Sequence, residues 1–199
     1  MRKTLLEHLR RYWIVYLTLA GVYVAGIVFG AVGVSALGQT ETDQLAKFLN
    51  SLLANQPTAL DPEFLKFLAR DTLIMMAGIW LLGLTVIGAP LIYLIVFVRG
   101  FILGFTVSFF IEFKGLLGLG LVLTTILLPA LINTALLFLG AGLATIFSMV
   151  LLRGKARGEP LWREFLYYTL AAALVCSGAV IAGIAQGYFS LLGVRLFGL

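Results

Sequence analysis

From Tyr12 to Ala36 the chain runs without a charged side chain, and from Leu116 to Leu152 it does so again over a still longer distance. A helix needs about 20 mostly apolar residues to cross the hydrocarbon core of a bilayer. Segments of that kind cover most of the chain from Tyr12 to Leu199, so lipid is the solvent. The runs are long and continuous, whereas strands of a transmembrane barrel alternate in polarity over segments of about ten residues. The fold class is therefore all-α, a polytopic bundle of transmembrane helices forming a single membrane domain over 1–199. Composition agrees: 61% of residues are hydrophobic and 12% charged, against roughly 25% charged in soluble domains.

The net charge of +5 does not signal nucleic acid. Eight of its 14 lysines and arginines sit in two short groups, Arg2, Lys3, Arg10 and Arg11, and then Arg153, Lys155, Arg157 and Arg163. Clusters beside apolar runs are topology signals that stay on the cytoplasmic side, and a nucleic-acid surface needs a folded basic face. The run from Tyr12 to Ala36 also exceeds the roughly 7–15 residues of a cleaved signal's apolar region, so it reads as a retained helix. Cys176 is the one cysteine, which excludes an intramolecular disulfide and a cysteine metal site.

Five spans are expected, at about 12–35, 72–88, 91–111, 131–152 and 165–189, with the N-terminus inside and the C-terminus outside. Residues 36–70 form the outer segment, where Glu41, Asp43, Asp61 and Glu63 outnumber Lys47, Lys66 and Arg70. Within it Leu45, Phe48, Leu49 and Leu52 recur at helical spacing between polar residues, the pattern of an amphipathic helix. Such a helix rests on the lipid surface or docks a partner. Pro57 ends it, and Asp61-Pro62-Glu63 restarts a helix with an N-cap, a proline at the first position and an acid in the first turn.

The break at Gly88-Ala89-Pro90 allows two topologies. A turn near Pro90 places Arg99 near mid-membrane, with Glu112 and Lys114 outside. A second span continued to Val98 frees Arg99 but buries Glu112 and Lys114. Each buried charge costs at least about 2.5–3.5 kcal/mol, so the first is preferred. Residues 116–128, cut off by Pro129, are too short for a crossing and read as a re-entrant half-helix or as the tilted start of the fourth span.

Chemistry-bearing residues are few. His8 is the lone histidine and lies in the basic N-terminal segment, so a serine triad or a histidine metal centre lacks its central group. No nucleophile elbow, metalloprotease helix or phosphate loop occurs. No catalytic, cofactor or metal residue is expected, and the chain reads as no enzyme. Arg99 is the unusual side chain: an intramembrane arginine is a functional candidate, or it satisfies carbonyls freed at Pro90. No carboxylate at its depth is apparent. Asn133 and Gln186 read as interhelical hydrogen-bonding groups. Gly26 and Gly30, Gly100 and Gly104, and Gly183 and Gly187 each place two glycines on one helical face, which allows close helix contact. Those faces pack the bundle itself or receive another membrane helix, a second copy of the chain included.

The stretch Gly83-Leu84-Thr85-Val86-Ile87-Gly88-Ala89-Pro90, followed by Phe97-Val98-Arg99-Gly100-Phe101-Ile102-Leu103-Gly104-Phe105-Thr106, resembles the stage II sporulation protein M family. Length, basic N-terminus, small outer segment and five-span layout fit the same resemblance. It implies a non-enzymatic scaffold in the bacterial cytoplasmic membrane, at the sporulation septum and engulfing membrane. The implied partners are stage II sporulation proteins D and P, which remodel peptidoglycan during engulfment of the forespore. The alternative is a permease-like subunit of a transporter, suggested by the proline-broken apolar region and Arg99.

Overall fold

The computed structural model describes residues 12–38, 44, 45, 47, 62–85, 87–121, 128–154 and 162–196. These residues form five helices: α1 Trp13–Ser35, α2 Pro62–Gly83, α3 Gly88–Leu121, α4 Leu128–Gly154 and α5 Trp162–Leu196. The chain is thus an all-helical membrane bundle. Among the described residues four segments are long and apolar enough to cross a membrane: Trp13–Ser35, Gly88–Glu112, Ala130–Leu152 and Glu164–Ala185. α2 differs because Lys66, Arg70 and Asp71 lie in its first half, so its apolar part begins only at Thr72.

Pro62 is the first residue of α2, the position where its missing N–H is one the helix cannot pair anyway. The chain turns earlier than the glycine and proline suggested. α2 ends at Gly83, and the turn closes through hydrogen bonds from the Leu84 N–H to the Leu81 carbonyl (3.1 Å), Thr85 N–H to Leu82 (3.0 Å) and Gly88 N–H to Thr85 (3.1 Å). Pro90 then sits inside the first turn of α3, where proline is tolerated. Gly88 is the residue that permits the tight return, since a methyl group there would overlap the Leu82 carbonyl and lie 2.9 Å from the Thr85 hydroxyl. The topology with a turn at this break is the one adopted, and α3 carries Arg99 in its interior.

Residues 116–121, expected in a separate re-entrant or tilted piece, instead extend α3 to Leu121. Nothing between Lys114 and Leu121 removes a backbone donor, so the helix runs on past the charged pair. The rest of that piece up to 127 lies outside the described residues, and α4 starts at Leu128.

α1 and α3 run parallel, because Tyr23 meets Gly100 while Ile27 meets Gly104. α2 returns antiparallel between them in sequence, as an up-and-down passage requires. α2, α4 and α5 pack on one another, with Phe147 stacked on Tyr168 at 4.3 Å between ring centres and the Tyr168 hydroxyl donating to the Trp80 carbonyl at 3.0 Å. Ser148 of α4 donates to the Thr85 carbonyl at 2.8 Å, fixing the turn against α4. That end of the bundle also carries exposed Trp13, Trp162 and Tyr167. Aromatic residues of this kind gather at the membrane–water interface, and the basic clusters adjoin the same end in sequence.

Candidate functional site

Two of the three glycine faces, those of α1 and α3, come together. Gly26 and Gly30 of α1 lie directly on the backbone of α3, and Gly100 and Gly104 of α3 lie on the backbone of α1. A methyl group at Gly30 would sit 2.8 Å from the Phe105 nitrogen, and one at Gly104 would sit 2.7 Å from the Ile27 Cα. Both are closer than real Cβ contacts, and the obstacle is backbone, which cannot swing aside. In lipid, helices associate through such packing, since the surrounding tails are as apolar as leucine. Gly183 is buried on α5, and Gly187 belongs to the same helix. Thr18 and Tyr93 add a hydroxyl–hydroxyl bond of 2.8 Å to the α1–α3 pair.

Beside this pair lies a crevice of about 200 Å³ lined by both apolar and polar side chains. Tyr23 contributes from α1, Met75 from α2, Arg99 and Thr106 from α3, and Asn133 and Thr134 from α4. The Tyr23 and Thr134 hydroxyls bond to each other at 2.9 Å, tying α1 to α4 across it. The Thr106 hydroxyl donates to the Ile102 carbonyl at 2.7 Å, which leaves its oxygen able to accept.

Arg99 does have a carboxylate partner. A guanidinium nitrogen lies 3.6 Å from an Asp71 oxygen, so the carbonyls near Pro90 are not what accompanies it. Asp71 stands twelve residues before Gly83, and Arg99 eleven after Gly88. At 1.5 Å rise per residue these are about 18 and 17 Å from the turn. A charge at the head of an apolar run, as Asp71 is, reads as a water boundary; its equal distance from the turn is the signal of the pairing. Through the Tyr23–Gly100 register, Arg99 falls near the middle of α1's length.

Other candidates are not brought to this place. Leu45 is helical and half-buried, whereas Phe48, Leu49 and Leu52 lie outside the described residues, as does His8. Gln186 belongs to α5. Cys176 is a free thiol beside a separate, largely apolar crevice with Trp80 and Thr169. Among the described residues no three of His, Cys, Asp and Glu approach closely enough to hold a metal.

Neither the curated proteins nor the solved structures yield a match. The profile of one family, described as stage II sporulation protein M, matches residues 19–191, a range that reaches from α1 into α5 and contains the glycine-packed pair, the turn and the Arg99 crevice. The chain belongs to the stage II sporulation protein M family.

Proposed function

We propose that this chain is a non-enzymatic membrane scaffold that localises peptidoglycan-remodelling proteins at the sporulation septum during forespore engulfment. The observation that carries the reading is the family match over residues 19–191, which covers nearly the whole bundle. Sporulation and a multi-pass membrane location follow from it directly. The finer role is supported by the way the bundle is built: backbone-on-backbone contact between α1 and α3 makes a stiff pair, and stiffness suits a platform that holds others in place. The expected partners are stage II sporulation proteins D and P, met through the outer segment at 36–70 and neighbouring helix faces.

The test is purification of the tagged chain in mild detergent from membranes of sporulating cells, with immunodetection of both partners. Both should co-purify, and replacing Leu49 and Leu52 together by serine should reduce them while the bundle still accumulates. Absence of both partners from a well-accumulated wild-type bundle overturns the reading. The transporter reading is favoured by one observation, the crevice that Arg99 lines, and predicts an ATPase in the same purification.

A further inference from the structure

We propose that the Arg99 crevice is a binding site for a phosphate-class oxyanion entering from the end of the bundle where α4 begins. The guanidinium carries five N–H donors. Its ion pair with Asp71, at 3.6 Å, lies beyond hydrogen-bond distance. Neither side chain encloses the other, 40% of Arg99 and 62% of Asp71 being exposed, so this one contact leaves most of the guanidinium edge unfilled. Near mid-length of the helices lipid offers no acceptor for those donors, and an oxygen-rich group in the crevice does.

The shape of the crevice fits that occupant. It rises from Arg99 past Thr106 and Asn133 to Ala130, close to the first residue of α4. About 200 Å³ has room for several waters, at about 30 Å³ each, or for one phosphate-sized group. A planar guanidinium matches two phosphate oxygens at once, which an ammonium cannot do. The phosphate can belong to a lipid headgroup or be free in solution, and the inference holds whether or not the bundle recruits wall enzymes.

Thermal unfolding of the full chain in detergent at constant ionic strength separates these cases, with three probes: inorganic phosphate, dioctanoyl phosphatidylglycerol and dioctanoylglycerol, which lacks the phosphate. Phosphatidylglycerol should raise the Tm saturably and dioctanoylglycerol should not. Inorganic phosphate acting as well marks a free anion as a ligand, and its failure marks the headgroup as the source. Arg99→Gln should raise the half-saturating concentration at least about tenfold, the effect of losing one strong charged contact of about 1.4 kcal/mol. Thr106→Leu, which fills the crevice and keeps the charge, should do the same and decides the matter if Arg99→Gln does not fold. Equal shifts from dioctanoylglycerol, no saturable shift from either phosphate probe, or full binding by Thr106→Leu overturns the proposal.

Discussion

The Arg99 guanidinium of α3 lies 3.6 Å from the Asp71 carboxylate of α2, at matching distances from the turn that joins the two helices. The pair fixes the outer half of the α2–α3 hairpin in register, whereas the Ser148 bond to the Thr85 carbonyl fixes its inner end. At this separation the pair lies beyond hydrogen-bond distance, so its contribution is modest. A double-mutant cycle with Arg99→Leu and Asp71→Asn, read by unfolding in detergent, should give a coupling of about 0.5–1 kcal/mol. Strictly additive single effects contradict the pairing.

The glycines divide into two groups with opposite expected behaviour. Gly30→Ala and Gly104→Ala push a methyl group into backbone and should each destabilise by about 1–3 kcal/mol, the range for overpacking. Gly21→Ala and Gly78→Ala meet nothing within 4 Å and should be neutral or stabilising by up to about 1 kcal/mol, since alanine is the better helix former. Unfolding midpoints of the four variants check this. Equal loss in all four would show that α1 and α3 do not meet as described.

Hydroxyl contacts between helices should matter less. Tyr23→Phe deletes the bond to Thr134, and Tyr168→Phe the bond to the Trp80 carbonyl; in bilayers such bonds average about 0.6 kcal/mol. A loss above about 2 kcal/mol in either variant, measured by the same unfolding, means that the hydroxyl has a second role.

Orientation rests on the basic clusters and the excess of acids in the outer segment. In a Cys176→Ala background, cysteines at Gln56 and Gly158 should label from opposite sides with a membrane-impermeant thiol reagent. Labelling of both from outside contradicts the alternating passage implied by the parallel α1 and α3.

Much of this architecture was legible in the residues. Uninterrupted apolar runs gave the helices, Asp61-Pro62 gave the start of α2, and paired glycines four apart marked α1 and α3 as close-packing faces. Which face met which was not legible, because spacing within one helix carries no information about its neighbour. Pro90 misled by three to five residues, since a proline reads as a break although a helix accepts it in the first turn. Gly83 and Gly88 bracket the true turn. The Asp71–Arg99 pair escaped because charge at the head of an apolar run looks like a water boundary; only after the turn is placed do the two levels coincide. The crevice itself draws on four helices, and no local pattern announces it.

The central claim is that the bundle keeps peptidoglycan-remodelling proteins at the septum. Fluorescent fusions of stage II sporulation proteins D and P, imaged in a spore former during engulfment with the gene for this chain intact or deleted, test it most directly. The account predicts septal foci in the intact strain, dispersal of both fusions with failed engulfment in the deletion, and rescue by the Gly78→Ala chain. Septal foci and complete engulfment in the deletion strain would contradict it.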